Sequence, residues 1–193
     1  MTREQIRQQI RQQRAILQPD EIKKNSAQVM DYIIHFISFE APLNIAFYLP
    51  HQGEVDPTPL IEHAWFEKNN CYLPALAPKQ RQLVFLNYTP ESALVLNQYG
   101  IPEVSYRTDE CCDTKLLDIV FIPLVAFDTA CQRIGMGAGY YDRTFHFKLS
   151  DPHAPPMLIG LAYEFQKVES IQPQPWDVPL NAVVTEQRIY TQP

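Results

Sequence analysis

Cysteine and histidine are scarce in this sequence, and their spacing excludes two kinds of site. There are 4 cysteines and 5 histidines, and no two cysteines have the C-x-x-C spacing of a redox or zinc motif. The histidines show no H-E-x-x-H or comparable spacing, which argues against a zinc site. No signal-peptide pattern opens the sequence. We therefore expect a cytoplasmic protein whose cysteines are reduced thiols.

Excess basic charge and long apolar runs are also lacking. The net charge is −6 at pH 7, so a broad nucleic-acid-binding surface is excluded and any anion must be bound locally. No apolar run approaches the roughly 20 residues that a membrane helix needs. The 193 residues are 46% hydrophobic and 20% charged, which fits a single soluble domain over residues 1–193. We expect a monomer that binds small molecules, with no nucleic-acid or membrane partner.

Glycine is rare, and half of the 6 glycines lie in one stretch. Gly135, Gly137 and Gly139 alternate between Arg133 and Arg143, and two tyrosines and an aspartate follow them directly. The spacing is neither that of a P-loop nor that of a dinucleotide fingerprint. An apolar segment over 116–127 precedes the glycines, and a helix-compatible aromatic segment over 140–149 follows. This order can present backbone N–H groups to a phosphate, although a tight turn without a ligand also explains it.

The hydrophobic pattern alternates between helices and strands. A first helix is predicted to start at Thr2, with Gln5 as its capping-box partner, and a second to end before Pro42. A third starts at Asp56-Pro57 and runs to about residue 68, and a short fourth fits residues 90–96. Residues 100–114 are predicted to be irregular. Strands are predicted over 44–49, 71–76, 82–88, 116–127, 157–162 and 182–185. The order predicts a three-layer α/β fold with a mostly parallel sheet and helices on both faces.

Two loops are candidate sites, because ligands of such sheets bind beyond the carboxyl ends of the strands. One is the glycine loop, and the other covers residues 51–56. In the second loop, Asp56 can simply cap the next helix and Glu54 can be a solvated charge. Alternatively, the two carboxylates accept hydrogen bonds from a polar ring. The first helix carries an arginine stripe of a kind that is usually a solvated face: Arg3, Arg7, Arg11 and Arg14.

Several motifs together resemble the 5-formyltetrahydrofolate cyclo-ligase family. The segment F-D-T-A-C-Q-R-I-G-M-G-A-G-Y-Y-D-R over 127–143 resembles the family signature. The segments R-E-Q-I-R at 3–7, E-V-D-P-T-P-L-I at 54–61, L-A-Y-E-F-Q at 161–166 and D-V-P-L-N at 177–181 resemble further family motifs in the family's order. The resemblance therefore spans nearly the whole chain. It implies a Rossmann-like fold related to sugar-phosphate isomerases and CoA-transferases.

The resemblance implies an ATP- and Mg²⁺-dependent ring closure. The family converts 5-formyltetrahydrofolate to 5,10-methenyltetrahydrofolate and releases ADP and phosphate. Phosphorylation of the formyl oxygen makes it a leaving group, so that N10 can attack the formyl carbon. Placement of the γ-phosphate and charge neutralisation are then the protein's tasks.

The resemblance also assigns site residues. Arg3 and Arg7 would contact ATP, and Asp142 and Asp177 would hold Mg²⁺. Tyr140, Arg133 and Arg143 would be the catalytic residues, with Tyr140 near the formyl group. The loop around the ATP phosphates would comprise Arg133, Ile134, Gly135, Met136, Gly137, Ala138, Gly139, Tyr140 and Tyr141. The residues that face the folate would be His51, Glu54, Asp56 and Tyr140.

The chain departs from the family pattern at a few positions, and two other functions fit parts of it. Cys131 stands where the family has glycine, and Asn181 stands where it has a second aspartate. Ala138 stands where the family has glycine or, in some relatives, lysine. A sugar-phosphate isomerase would use the glycine loop for a substrate phosphate and Glu54 or Asp56 as a base, without ATP. A non-catalytic folate- or nucleotide-binding protein would show no turnover.

Overall fold

The computed structural model of the chain describes residues 1–40, 42–76, 81–105 and 111–192. The α-helices are α1 (Arg3–Ala15), α2 (Pro19–Phe36), α3 (Thr58–Phe66) and α4 (Tyr140–Thr144). The strands are β1 (Asn44–Ala46), β2 (Asn70–Leu76), β3 (Leu83–Asn87), β4 (Leu94–Leu96), β5 (Pro102–Val104), β6 (Cys111–Cys112), β7 (Ile119–Pro123), β8 (Ala126–Phe127), β9 (Arg133–Ile134), β10 (Met157–Leu161), β11 (Ala182–Val184) and β12 (Ile189–Thr191). Short 3₁₀ turns lie at Thr114–Leu116, His146–Leu149 and Glu164–Gln166.

The first helix begins as the sequence predicts, with a capping box at its start. Thr2 Oγ1 accepts the N–H of Gln5 at 3.2 Å, and Gln5 Oε1 accepts the N–H of Thr2 at 2.8 Å, which confirms the capping box. Pro19 is the first residue of α2, where its fixed φ suits the helix and its missing N–H costs nothing. In the described ranges, no helix combines the length and the apolar character needed to cross a membrane.

The main sheet has eight strands in the order β12-β11-β10-β7-β1-β2-β3-β6. The five central strands, from β11 to β2, are parallel to one another. At the edges, β12, β3 and β6 pair antiparallel with their neighbours. The predicted mostly parallel sheet is therefore confirmed, with antiparallel strands added at both edges.

Alternate residues of the central strands supply the two faces of the sheet, as the period of a β-strand requires. On β7, Phe121 packs in the cluster that contains Val29 and Ile33 of α2 and residues of α3. Val120 and Ile122 pack on the opposite face with Phe145, which directly follows α4. Helices thus lie on both faces, but the second face is covered largely by α4, the 146–149 turn and irregular chain.

The structure differs from the predicted secondary structure in short segments whose conformation depends on pairing with another segment. Residues 90–96 contain β4, which pairs antiparallel with β5, so the predicted helix there was wrong. The hairpin forms because Asn97 Oδ1 accepts the N–H groups of Tyr99 and Ile101 and closes the turn. The region 100–114, predicted as irregular, contains β5 and β6, and its residues 106–110 lie outside the described part of the chain. The predicted 140–149 helix divides into α4 and a 3₁₀ turn.

Helix α1 does not pack on the main sheet. Ile6 and Ile10 instead form a separate apolar cluster with Val125, Ala126 and Ile134 of the β8–β9 region. Because Ile134 directly precedes the glycine loop, this packing brings the arginines of α1 against that loop.

Candidate active site

Both candidate loops leave the sheet at its topological switch point, where successive chain connections turn to opposite sides of the sheet order. β1 and β7 are neighbours, and the chain proceeds from β1 to β2 on one side and from β7 to β10 on the other. The crevice beyond the carboxyl ends of strands at such a point is the usual ligand site of a parallel α/β sheet. The 51–56 loop follows β1, and the chain after β7 leads through β8 and β9 into the glycine loop. The fold therefore brings the two loops together.

The glycine loop, residues 135–139, joins β9 to α4 and is held against α1. Arg7 Nε donates to the carbonyl of Gly135 at 2.9 Å. Gly137 has a φ of +107°, a conformation that side chains rarely permit. No backbone N–H of residues 135–139 donates a hydrogen bond to any part of the chain that the structure describes. Since α4 is only five residues long, these backbone donors, more than a helix dipole, equip the loop to bind an anion.

A cavity of about 560 Å³ opens on one side of the glycine loop. Its lining carries four guanidinium groups and two carboxylates, from Arg3, Arg7, Arg133, Arg143, Asp142 and Asp177. The excess of positive charge in a confined space favours a ligand with several negative charges. We call this space the basic cavity.

Backbone carbonyls orient the two arginines that bracket the glycines. Arg143 donates to the carbonyls of Arg81 and Ala138, each at 2.5 Å. Arg133 is buried, with 7% of its surface exposed, and donates to the carbonyl of Val178. Fixed guanidinium groups need little reorganisation when a phosphate arrives, and such preorganisation is what phosphoryl transfer requires.

The two aspartates of the basic cavity are each paired with an arginine through one oxygen. Asp142 Oδ1 accepts Arg133 Nη2 at 2.7 Å and the N–H of Val178 at 3.1 Å. Asp177 Oδ2 accepts Arg3 Nη2 at 2.5 Å and a backbone N–H at 2.8 Å. The second oxygen of each carboxylate accepts no hydrogen bond from any described residue.

A second cavity of about 450 Å³ lies on the other side of the loop. Its lining is rich in aromatic and aliphatic side chains, among them Tyr48, Leu49, Leu83, Ile101 and Tyr141. Arg133, Asp142 and three residues of the loop, Gly135, Ala138 and Gly139, line both cavities. The loop is therefore the wall between them. We call this second space the aromatic cavity.

His51 and Glu54 supply polar groups to the aromatic cavity. Glu54 is 8% exposed. Its Oε2 accepts the N–H of His51 at 3.2 Å, and its Oε1 lies 3.4 Å from Arg14 Nη1. Burial raises the pKa of Glu54, and the charge of Arg14 acts against that rise. A buried carboxylate in an apolar pocket is a strong acceptor for the N–H groups of a ring.

Tyr140 directly follows the glycine loop and lines the aromatic cavity. Its hydroxyl lies 3.2 Å from that of Tyr99, and the Arg143 guanidinium lies 5.4 Å from its ring centroid. The hydrogen bond with Tyr99, together with burial, raises the pKa of Tyr140. Burial likewise raises the pKa of Tyr141. Both hydroxyls are therefore neutral donors near neutral pH.

Two of the residues assigned by resemblance lie outside both linings. Asp56 Oδ1 accepts the N–H of Thr58 at 2.9 Å, so its carboxylate binds the first turn of α3, and Asp56 does not line either cavity. Ile134 is buried in the α1 cluster, so only its backbone can contribute to the loop. The remaining assigned residues line one cavity or both.

Two departures from the family pattern have structural explanations. Cys131 has a φ of +59°, which explains why glycine suits this position. Asn181 Oδ1 accepts the N–H of Leu158 at 2.8 Å. Asn181 therefore links β10 to the chain before β11 and does not line the basic cavity.

Sequence reasoning missed several residues of the site. Arg14 was grouped with a solvated stripe, yet it is 2% exposed and pairs with Glu54. The sequence does indicate burial of Arg14, because residues four apart share a helix face and Arg14 follows Ile6 and Ile10 at that spacing. Tyr99, Gln82, His146 and Trp176 also line the cavities. They come from separate segments, so no local pattern marks them.

The fold and the two cavities define an α/β enzyme-like site that pairs a polyanion-binding pocket with a pocket for a flat, largely apolar ring. Sequence comparison identifies the family. The model of the 5-formyltetrahydrofolate cyclo-ligase family matches residues 1–186. The chain belongs to this family, and its class is that of a ligase enzyme.

Individual relatives agree with this assignment. The chain is 38% identical to the 5-formyltetrahydrofolate cyclo-ligase of Haemophilus influenzae over 92% of this chain and 94% of the relative. It is 36% identical to the protein of the same name from Escherichia coli K12, over 94% and 98%. The solved 5,10-methenyltetrahydrofolate synthetase of Aquifex aeolicus superposes with a TM-score of 0.81 at 27% identity, over 99% of this chain and 93% of that one.

Proposed function

We propose that the protein catalyses the ATP-dependent cyclisation of 5-formyltetrahydrofolate to 5,10-methenyltetrahydrofolate, with release of ADP and phosphate. The observation that carries this proposal is the pair of cavities that share the glycine loop as a wall. The reaction needs a triphosphate next to a folate ring, and each cavity has the chemistry of one of these ligands. Family membership supports the same pairing.

In the basic cavity, Arg3, Arg7, Arg133 and Arg143 would bind the phosphates of ATP together with the N–H groups of the glycine loop. These groups would hold the γ-phosphate at the wall that faces the folate. Guanidinium groups and backbone donors neutralise the charge that spreads over the phosphoryl oxygens in the transition state. A cradle of donors that are already fixed in place is suited to this role.

In the aromatic cavity, Glu54 and His51 would orient the folate ring, and Tyr140 would lie beside the formyl group. The formyl oxygen then attacks the γ-phosphorus while the bond to the bridging oxygen of ADP breaks. N10 next attacks the activated carbon and gives up its proton, and the carbon–oxygen bond to phosphate breaks. Tyr140, a neutral donor, would hold the formyl oxygen in line with the phosphate.

The residues of the basic cavity also fit a Mg²⁺ ion. Asp142 and Asp177 are hard oxygen donors of the type that Mg²⁺ prefers, and the carboxylate oxygens that their arginine pairs do not use would hold it together with the phosphates. When bound, Mg²⁺ would supply charge neutralisation on the phosphate oxygens. Asp56, whose carboxylate accepts the N–H of Thr58 at the start of α3, enters this proposal only as a residue that stabilises the 51–56 loop.

The test is turnover by the purified protein. With 5-formyltetrahydrofolate, ATP and Mg²⁺, the ultraviolet absorbance of the methenyl product should increase, and ADP and phosphate should form in equal amounts. Arg143→Gln should reduce the rate roughly 100-fold, the scale for loss of one transition-state donor. Arg188 is exposed and lines neither cavity, so Arg188→Gln is the matched control and should retain full activity.

Omission of ATP separates this proposal from its rivals. An enzyme that uses the glycine loop only for a substrate phosphate would not consume ATP, and a binding protein would form no product. Absence of the methenyl product with all three components present, from a folded protein, would refute the proposal.

A further inference from the structure

We propose that Arg14 is a positioning residue: it holds Glu54 in the orientation and the ionised form in which that carboxylate binds the folate ring. The inference rests on the proposed function, in which Glu54 faces the substrate. Arg14 itself does not line the aromatic cavity, so it would act only through Glu54.

The contact between the two side chains is buried and isolated. The side chain of Arg14 is 1% exposed and that of Glu54 is 9% exposed. Within the described ranges, Glu54 is the only hydrogen-bond partner of the Arg14 guanidinium, at 3.4 Å. Arg14 Nε and Nη2 are buried, and no described residue is a hydrogen-bond partner of either atom. A buried cation with unpaired donors is costly, so stability alone does not account for arginine at this position.

The same loop also packs against the backbone of Arg14. Gly53 has a φ of +71°, and a Cβ built there would lie 3.1 Å from the backbone carbonyl oxygen of Arg14. The 51–56 loop therefore packs directly against the last turn of α1. The N–H of His51 holds Oε2 of Glu54 while Arg14 holds Oε1. With one restraint on each oxygen, the carboxylate plane is set relative to the cavity.

The charge of Glu54 also depends on Arg14. Three titratable or charged side chains act on Glu54: Arg14 of α1, Tyr48 after β1 and Tyr141 of α4. His51 contributes its backbone N–H. Burial raises the pKa of both tyrosines, so they stay neutral, and Arg14 is the cation that opposes the desolvation of Glu54. Without Arg14, the pKa of Glu54 would rise further, and a protonated acid places a donor where the ring N–H needs an acceptor.

The proposal predicts how folate binding changes with pH. Equilibrium binding of 5-formyltetrahydrofolate, without ATP or Mg²⁺, would be measured calorimetrically from about pH 6 to about pH 9, the range below tyrosine titration. Arg14→Met should weaken binding roughly tenfold or more near neutral pH, the scale for a hydrogen bond to a charged group. The difference in folate affinity between Arg14→Met and wild type should shrink as pH rises, because Glu54 ionises again above its raised pKa. Arg14→Lys keeps the charge and should rescue part of the affinity.

A double-mutant comparison separates positioning from a general structural role. In a Glu54→Gln background, Arg14→Met should change the affinity by no more than about twofold, because its only route to the ligand is already removed. Gln12→Met, at an exposed position on the same helix, controls for substitution in α1. Because His51 shares the cavity, the pH series would be repeated in His51→Gln to exclude titration of the imidazole.

The outcomes are distinct. The inference would be overturned if Arg14→Met bound folate with wild-type affinity at every pH. It would also be overturned if Arg14→Met lost affinity equally at every pH and lost just as much in the Glu54→Gln background. If Arg14→Met does not fold, Glu54→Gln decides: unchanged folate affinity in that variant would overturn the inference too. If the wild-type protein itself does not bind 5-formyltetrahydrofolate, the proposed function fails first, and this inference fails with it.

Discussion

Replacement of Asp142 by asparagine separates the structural role of this residue from its proposed role at the metal. Asparagine keeps an acceptor for Arg133 Nη2 and for the N–H of Val178, but it removes the negative charge. A hydrogen bond to a charged group contributes about 1.5–3 kcal/mol. Since 22% of the Asp142 side chain is exposed, we take about 1–2 kcal/mol after allowance for solvent screening. For a chain of this length, that loss lowers Tm by about 2–8 °C.

The catalytic effect should be larger. Metal stabilisation of phosphoryl-transfer charge contributes several kcal/mol, so we expect Asp142→Asn to lower kcat roughly 100-fold or more at moderate Mg²⁺. The rate should recover in part when Mg²⁺ is raised, because the weakened site fills. Formation of the methenyl product as a function of Mg²⁺ concentration, combined with thermal unfolding, measures both effects.

Two further variants make the comparison decisive. Asp177 pairs with Arg3 and not with Arg133, so Asp177→Asn should raise the Mg²⁺ requirement without affecting Arg133. Asp31→Asn, at an exposed position on α2, should change neither quantity. If Asp142→Asn lowers Tm but leaves both kcat and the Mg²⁺ requirement unchanged, Asp142 serves only to hold Arg133, and its place at the metal is refuted.

Two other predictions concern the glycine loop and pH. Gly137→Ala should lower the free energy of unfolding by about 1–2 kcal/mol because of its positive φ. A Cβ at Gly135 would meet no atom within 4 Å, so Gly135→Ala should change the free energy of unfolding by no more than about 0.5 kcal/mol. Urea denaturation of both variants measures this, and equal losses of stability in the two would contradict the prediction. Burial alone would raise the pKa of Glu164, but hydrogen bonds, chiefly from Lys167 and Tyr190, lower it overall. The folded pKa then lies below the unfolded value, so the stabilisation is present above the unfolded pKa and is lost as pH falls through the folded one. Glu164→Gln should therefore be less stable than wild type at neutral pH and converge with it in acid, and a constant difference would contradict the assignment.

Local chemistry was sufficient to predict the features that depend on neighbouring residues. Thr2 and Gln5 form the predicted capping box because its partners are three residues apart. The apolar central strands were found because burial on both faces makes them continuous hydrophobic runs. The helix over 90–96 was wrong because Leu94–Leu96 forms a strand only through its pairing with β5, and a pairing partner is not visible in a local pattern.

The sequence by itself determined the family, the order of helices and central strands, and the glycine loop with its bracketing arginines, since each depends on residue type and short spacing. Only the tertiary structure decided that one loop separates a basic from an aromatic cavity, that Asp56 binds the first turn of α3, and that Arg14 is buried against Glu54. Those contacts join residues far apart in the chain. Arg14 and Glu54 are 40 positions apart, and they meet because α1 packs against the β8–β9 region and not on the main sheet.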